Sequence, residues 1–236
     1  MYGEDLAYIH DVGFGDFARQ SAAGTLKMLH ESGITSGLVV DLGCGSGIWA
    51  RALIDAGHRV RGVDISPSMI ALSRRRVPEA EFETASFLDA ELPPCQAVTS
   101  LGECLSYMFN GRNDDAALMG LFRRVFDALR PGGVFIFDVS EAGRGSRRGY
   151  REGDGWAVAY ETREDPGRML LTRMITTYRR DAEGLRSDHE VHVVRLFDRE
   201  WIMEDLHCAG FDATILTAYG DFSLPEGVVG FLARRP

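Results

Sequence analysis

Two aspartates and three glycines carry the densest chemistry in this chain. Val39-Val40-Asp41-Leu42-Gly43-Cys44-Gly45-Ser46-Gly47 runs from a branched apolar pair, through an acid, into glycines that alternate along a turn. Ile48, Trp49, Ala50, Leu53 and Ile54 continue it as an apolar, helix-spaced run. Strand, glycine turn and helix in that order let a ligand approach bare backbone and meet the unpaired N–H groups of the new helix. A second strand-like run, Arg59-Val60-Arg61-Gly62-Val63-Asp64, ends in another acid twenty-one residues after Gly43. An acid at a strand's carboxyl end is placed to accept hydrogen bonds from both hydroxyls of a ribose. The expected ligand is nucleotide-like, and Asp41 before the glycines suits a cationic end better than a pyrophosphate.

The spacing narrows this further. A dinucleotide turn of the form G-x-G-x-x-G needs its third glycine one residue later, where Ile48 stands. A phosphate-cradling loop needs Gly-Lys-Ser/Thr, and no lysine follows these glycines. The two acids bracketing one strand-helix-strand unit are more specific than the glycines alone.

Alternating elements must position these residues. Strands are expected at 38–42, 59–64, 80–84, 96–101 and 133–138, with helices near 46–57, 66–76 and 114–130. A further helix is expected from Asp16 to Ser32, stopping at Gly33. Ser66-Pro67 has the chemistry of a helix start, and Pro131-Gly132-Gly133 that of a turn into the next strand. Such alternation predicts a parallel sheet covered on both faces. After Asp138 the pattern changes. Gly143 to Gly155, rich in glycine and arginine, reads as a mobile loop. Three strand-like segments follow near 156–163, 169–180 and 186–197, joined by turn signals at Asp165-Pro166-Gly167 and Asp181-Ala182-Glu183-Gly184. They predict an antiparallel meander inserted into the α/β order. A helix near 199–209 and strands near 211–218 and 228–234 complete the chain.

Composition excludes several classes. The chain has 236 residues, 45% of them hydrophobic, enough for one sizeable domain with an insertion. No run approaches the roughly 20 apolar residues that span a bilayer. The acidic Met1-Tyr2-Gly3-Glu4-Asp5 lacks a signal peptide's basic start, so a cytoplasmic location is the expectation. Cys44, Cys95, Cys104 and Cys208 form no C-x-x-C pair and read as free thiols. A formal net charge of −9 disfavours sequence-independent binding to nucleic acid.

The acid, glycine turn, strand and second acid together resemble the class I S-adenosylmethionine-dependent methyltransferases, over roughly residues 38–140 and again over 199–235. The helical N-terminal arm and the inserted meander are similar to small-molecule N-methyltransferases of the glycine and amino-sugar type. The implied fold is α/β: a doubly wound, mostly parallel seven-stranded sheet of Rossmann-like methyltransferase type with an inserted antiparallel β meander. Its seventh strand, antiparallel between strands five and six, falls on Gly227 to Arg234. The implied domains are a helical arm or lid over 1–37, a cofactor-binding domain over 38–142 and 198–236, and a substrate or oligomerisation subdomain over 143–197.

The resemblance also implies roles. Gly43, Cys44, Gly45 and Gly47 pass beside the methionine and ribose of S-adenosylmethionine, and Asp41 favours its ammonium end. Asp64 takes the ribose hydroxyls while Ile65 packs on the adenine. Ser86, Phe87 and Leu88 stand where the family meets adenine, with Ser86-Phe87 in place of its usual Gly-Asp pair. Leu101 and Gly102 flank the sulfonium, and Gly102-Glu103-Cys104-Leu105 lacks the Pro-Pro-aromatic run of enzymes that methylate base amines. S-adenosylhomocysteine is the implied product. The implied partners are a small-molecule methyl acceptor and a second copy in a homodimer, without nucleic acid or membrane.

Methyl transfer from a sulfonium is an in-line displacement, so holding the reactants in line and excluding water supplies much of the rate. A general base is needed only when the acceptor must lose a proton near attack. Glu103, Tyr107 and His189 are the catalytic candidates, with His10, Tyr8, Tyr178 and His192 as further polar groups. His189 and His192 lie three apart on a strand and point to opposite faces, so they do not form a metal pair, and no metal is expected. Arg144, Arg147, Arg148 and Arg151 suit an anionic group. Tyr2, Tyr8, Phe14 and Phe17 suit an aromatic lid. Two alternatives stay open at this level: a nicotinamide-dependent oxidoreductase, and a sensor that binds S-adenosylmethionine without turnover.

Overall fold

Strand β1 (Gly37–Leu42) is paired in parallel on both sides, by β2 (His58–Asp64) and by β4 (Cys95–Ser100). The chain winds outward from β1 through α3 (Ile48–Asp55), β2, α4 (Pro67–Arg76) and β3 (Glu81–Thr84). It then crosses back to β4, α5 (Asp115–Ala128) and β5 (Leu129–Ser140). This reversal opens a crevice at the carboxyl ends of β1 and β4, where doubly wound sheets bind ligands. The chain is described here by a computed structural model that covers residues 1–109, 111–182 and 184–236, with Asp181 as backbone only.

The main sheet has the order β10-β13-β5-β4-β1-β2-β3, where β10 is Asp212–Leu216 and β13 is Val228–Arg234. β13 runs antiparallel to both β5 and β10. The expected seventh strand is therefore in place between the fifth and the sixth. Alternation decides which helices cover each face. Val40, Leu42, Val98, Phe135, Phe137 and Phe231 pack under α5 and α6 (Arg199–Cys208). Val39, Val60, Ala97, Val134 and Ile136 pack under α3, α4 and α2 (Asp16–Glu31). The helix starts follow their capping residues: Ser66 Oγ accepts from Met69 N at 3.2 Å with Pro67 next in line, and Asp114 Oδ1 accepts from Ala117 N at 2.8 Å.

Above the carboxyl ends stands a second sheet of order β6-β7-β8-β9, comprising Arg147–Gly153, Trp156–Asp165, Leu170–Asp181 and Gly184–Arg195. It has four strands rather than the three expected. The supposed mobile loop over 143–155 contains β6, whose Arg-Arg-Gly-Tyr-Arg-Glu-Gly has no apolar alternation because it is an almost wholly exposed edge strand. The turn signal at Asp181-Ala182-Glu183-Gly184 lies in part outside the described residues.

The N-terminal arm is divided as well. Helix α1 (Glu4–Phe14), part of the arm expected to be helical but given no bounds of its own from the sequence, packs Leu6 and Ile9 on Val158 and Ile175 of the second sheet. α2 instead packs on the main sheet, where Gly24 lets the backbone of a small ribbon, β11 (Ala218–Tyr219) and β12 (Phe222–Ser223), come close.

Candidate functional site

A cavity of about 570 Å³ lies between the carboxyl ends of β1, β2 and β4 and a roof made by α1 and the second sheet. That is within the usual range of small-molecule sites. Its two ends differ in chemistry.

At the first end β1 and β2 deliver Asp41 and Asp64 into the same space. Asp41 is 2% exposed. Trp49 Nε1 donates to Thr99 Oγ1 at 3.1 Å, and the Thr99 hydroxyl donates to Asp41 Oδ1 at 2.8 Å, so the carboxyl is held from behind. Burial pushes its pKa up to about 7, against the Thr99 hydrogen bond, with the Asp64 charge adding to the rise. Asp64 Oδ2 accepts from Gly45 N at 2.9 Å and Oδ1 from Ser66 N at 2.8 Å. The second acid thus shapes the glycine turn itself, and burial raises its pKa too, against those two bonds. Cys44, Gly45, Ser46, Ile65, Met69, Ala85, Ser86 and Phe87 complete this end.

Gly43 and Gly45 both adopt left-handed backbone, at φ 78° and 52°. A Cβ on Gly45 would meet open space, while one on Gly43 would stand 2.5 Å from Cys104 Sγ. Gly43→Ala is therefore expected to lower unfolding free energy by about 2 kcal/mol or more, the strain of left-handed backbone plus the collision. Chemical denaturation checks it, and a loss below about 0.5 kcal/mol would show that the turn can relax.

Two of the expected cofactor positions do not reach the cavity. Gly47, at φ 78°, sits against Ser73, where its Cβ would lie 3.0 Å from the serine Cβ, so this glycine brings α3 close to α4. Ser46 lines the space instead. Leu88 is drawn away by a local turn in which its N–H donates to Ser86 Oγ at 3.2 Å. The remaining positions, Leu101 and Gly102 among them, line the cavity.

The second end is built around Glu103, 8% exposed and itself left-handed at φ 62°. Its Oε2 accepts from Arg173 Nη2 at 2.7 Å, and its Oε1 accepts from Ser140 Oγ at 2.8 Å and from Arg144 Nη1. Burial works to raise its pKa, but the Arg173 and Arg144 charges and these hydrogen bonds hold it below the usual carboxylate value. A carboxylate so fully engaged is a poor general base. Arg173 Nη1 also donates to Tyr107 Oη at 2.6 Å, and that hydroxyl lies 3.0 Å from Tyr2 Oη.

His189, in contrast, stands exposed on the outer side of β9, with Nδ1 3.1 Å from Thr176 Oγ1. It is removed from the catalytic candidates because strand alternation turns it away from the cavity. His192 turns inward, buried, with Nε2 2.8 Å from Glu190 Oε2. His10 lines the cavity with Tyr2, Phe14 and Phe17, and burial lowers its pKa to about 4. Tyr8 and Tyr178 are outside it, as are Arg148 and Arg151; Tyr8 lies under the Arg179 guanidinium at 4.1 Å.

Two functional positions have no place in the sequence reading. Asp138, fully buried on β5, accepts from Gly102 N at 3.0 Å, from Glu103 N, and from the Tyr219 hydroxyl at 2.8 Å, and so fixes the turn that carries Glu103. Its signal was present: Asp138 closes an apolar strand run just as Asp41 and Asp64 do. Arg173 had a signal too, since it alternates with Leu171 and Ile175 on the inward face of β8.

The roof is tied to the floor. Ser66 Oγ donates to Tyr2 O at 2.7 Å, Gly3 N to Glu190 Oε1 at 2.9 Å, and Ser46 Oγ to Asp11 Oδ1 at 2.6 Å. Among the described residues no three His, Cys, Asp or Glu are grouped to hold a metal ion, and no helix is long and apolar enough to cross a membrane.

Residues 39–133 match the model of a methyltransferase domain. The chain is 30% identical to the cypemycin N-terminal methyltransferase of a Streptomyces species over 129 residues, covering 54% of this chain and 50% of that protein. It is 23% identical over 227 residues to the dTDP-3-amino-3,6-dideoxy-alpha-D-glucopyranose N,N-dimethyltransferase of Streptomyces fradiae, covering 91% and 87%. It spans half or less of the length of several other curated relatives that it matches. Among solved structures, the sugar N-methyltransferase KedS8 from Streptoalloteichus sp ATCC 53650 superposes with a TM-score of 0.81 at 23% identity, over 100% of this chain and 96% of that one. The fold is shared.

Proposed function

We propose that this chain, whose residues 39–133 match a methyltransferase domain, is a class I S-adenosylmethionine-dependent methyltransferase that moves the sulfonium methyl to nitrogen or oxygen of a small molecule. The carrying observation is that Asp41 and Asp64, from neighbouring strand ends, open into one cavity whose far end is polar and aromatic. The residues fit the methyl donor. A carboxyl lifted to about 7 by burial calls for a cation beside it, and Gly45 leaves backbone bare against the cavity. When bound, S-adenosylmethionine supplies an electrophilic methyl carbon.

The chain's own residues do the rest. Asp41 receives the positive end of the donor, and Asp64, with lone pairs to spare beyond Gly45 and Ser66, receives hydroxyls. Ile65, Met69 and Phe87 give the base an apolar seat. Leu101, Gly102 and Cys104 lie between the two ends, where the methyl must pass. Tyr2, Phe14 and Phe17 exclude water. A neutral amine or a carboxylate needs no proton removed at attack, which agrees with a site whose nearest carboxylate, Glu103, is engaged by two guanidiniums. Relatives that act on amino sugars support nitrogen as the acceptor atom.

Calorimetry with S-adenosylmethionine, S-adenosylhomocysteine and NAD tests this. In the folded, unliganded protein Asp41 titrates near 7, above its unfolded value of 3.8, so its contribution to stability falls as the pH rises from about 4 to about 7. A cation beside it favours the ionised form, so binding of S-adenosylmethionine releases a proton at pH 6. Affinity then rises with pH up to about 7 and flattens above it. Binding of NAD alone overturns the proposal. Binding of both sulfur ligands, with no gain of 14 mass units on any amine, phenol or carboxylate offered, leaves a sensor rather than an enzyme.

A further inference from the structure

The acceptor end of the cavity contains more positive charge than its own carboxylate neutralises. Glu103 faces two guanidiniums, Arg144 and Arg173, and all three line the cavity. They are mostly withdrawn from water, with side-chain exposures of 11%, 21% and 19% respectively. Arg173 is used up by the protein, one terminal nitrogen on Glu103 and the other on Tyr107. Arg144 is not. Its Nη1 serves Glu103 and, at 3.5 Å, Ser140 Oγ, whereas among the described residues Nε and Nη2 have no acceptor.

The side chain is nonetheless fixed. A Cβ on Gly227 would fall 2.0 Å from Arg144 Cγ, so that glycine leaves just enough room for the arginine stem. The Arg144 carbonyl accepts from Arg147 Nε at 2.9 Å, and Arg147 in turn pairs with Glu226 at 2.9 Å. A planar fork held at one tip, with its other edge unspent, is the geometry that takes a carboxylate or phosphate through two parallel bonds.

We propose that Arg144 recognises the methyl acceptor, and that the acceptor bears an anionic oxygen group, carboxylate or phosphate, which docks on the Nε–Nη2 edge. Glu103 is then a positioning residue that aims Arg144. The inference rests on the methyl-transfer reading, since it assigns the second end of the same cavity.

The test uses the full chain loaded with S-adenosylhomocysteine and titrated with malonate, inorganic pyrophosphate or propylamine. At least one anion binds, and malonate against pyrophosphate separates a carboxylate from a phosphate source. Arg144→Gln weakens that anion about tenfold or more, while S-adenosylhomocysteine affinity stays within about twofold. Arg144→Lys, which keeps the charge and loses the fork, falls between the two. The proposal is overturned if neither anion binds the loaded protein, if only propylamine binds, or if Arg144→Gln binds the anion as the parent does. If Arg144→Gln also loses S-adenosylhomocysteine, Arg144→Lys decides: unchanged anion affinity overturns the assignment and weakened affinity supports it. Failure of the unaltered chain to bind S-adenosylhomocysteine removes the methyl-transfer reading and this inference with it.

Discussion

Asp138→Ala is expected to lower the free energy of unfolding by about 3–5 kcal/mol, the largest effect of any single substitution at the site. The carboxylate is fully buried and serves three donors, the N–H groups of Gly102 and Glu103 and the Tyr219 hydroxyl. Alanine leaves all three in the interior without a partner, at about 1–3 kcal/mol each before relaxation. Relaxation is limited, because Gly102 and Glu103 both hold left-handed backbone, at φ 88° and 62°, and each needs its bond to stay there. Asp138→Asn keeps the shape but has one acceptor oxygen for three donors, so a smaller loss of about 1–3 kcal/mol is expected. Urea unfolding measures both. A loss under about 1 kcal/mol for the alanine variant would mean that the turn carrying Glu103 is held by something other than this acid.

Asp64→Ala is expected to weaken S-adenosylhomocysteine by about 5- to 150-fold, which is about 1–3 kcal/mol. Two effects add. Hydrogen bonds from the ligand's hydroxyls are lost, and the glycine turn loses the anchor that accepts from Gly45 N at 2.9 Å. Asp64→Asn separates them, since an amide oxygen still accepts from one N–H while the charge is gone, and it is expected to lie between the parent and the alanine variant. Calorimetry gives the affinity and circular dichroism shows that the sheet is intact. Unchanged binding in a folded variant would detach the ribose from this strand end.

The sheet was legible because its signals are local. The apolar runs ending in Asp41 and Asp64 and the Ser66-Pro67 start each report on a few adjacent residues, and those elements formed where they were expected within a few positions, whereas the turn expected at Pro131-Gly132-Gly133 is taken into β5, which begins at Leu129 with an irregular pairing to β4. That Asp41, Asp64 and the glycine turn meet at one end of the cavity was legible for the same reason. Gly47 and Leu88 went astray because a side-chain direction, not an element, decides whether a residue faces a ligand. β6 was invisible because an exposed edge strand has no buried face to impose a pattern. The acceptor end was the least legible. Glu103, Arg144 and Arg173 come from three separate segments, and only tertiary pairing shows that the first is clamped by the other two. His189 shows the opposite error, a reactive side chain one register position away from the inward face.

The tethering of α1 fixes an order of events during folding. Asp5 pairs with Arg179 and Arg186, and Gly3 bonds to Glu190, so the contacts of α1 with the second sheet must wait for partners more than 170 positions further along the chain, while Ser46 and Ser66 can hold its other side earlier. Contacts of such separation form late, because a long loop must close before they return any stabilisation. The half of the molecule that carries Asp41 and Asp64 can consolidate before the second sheet completes the roof above it.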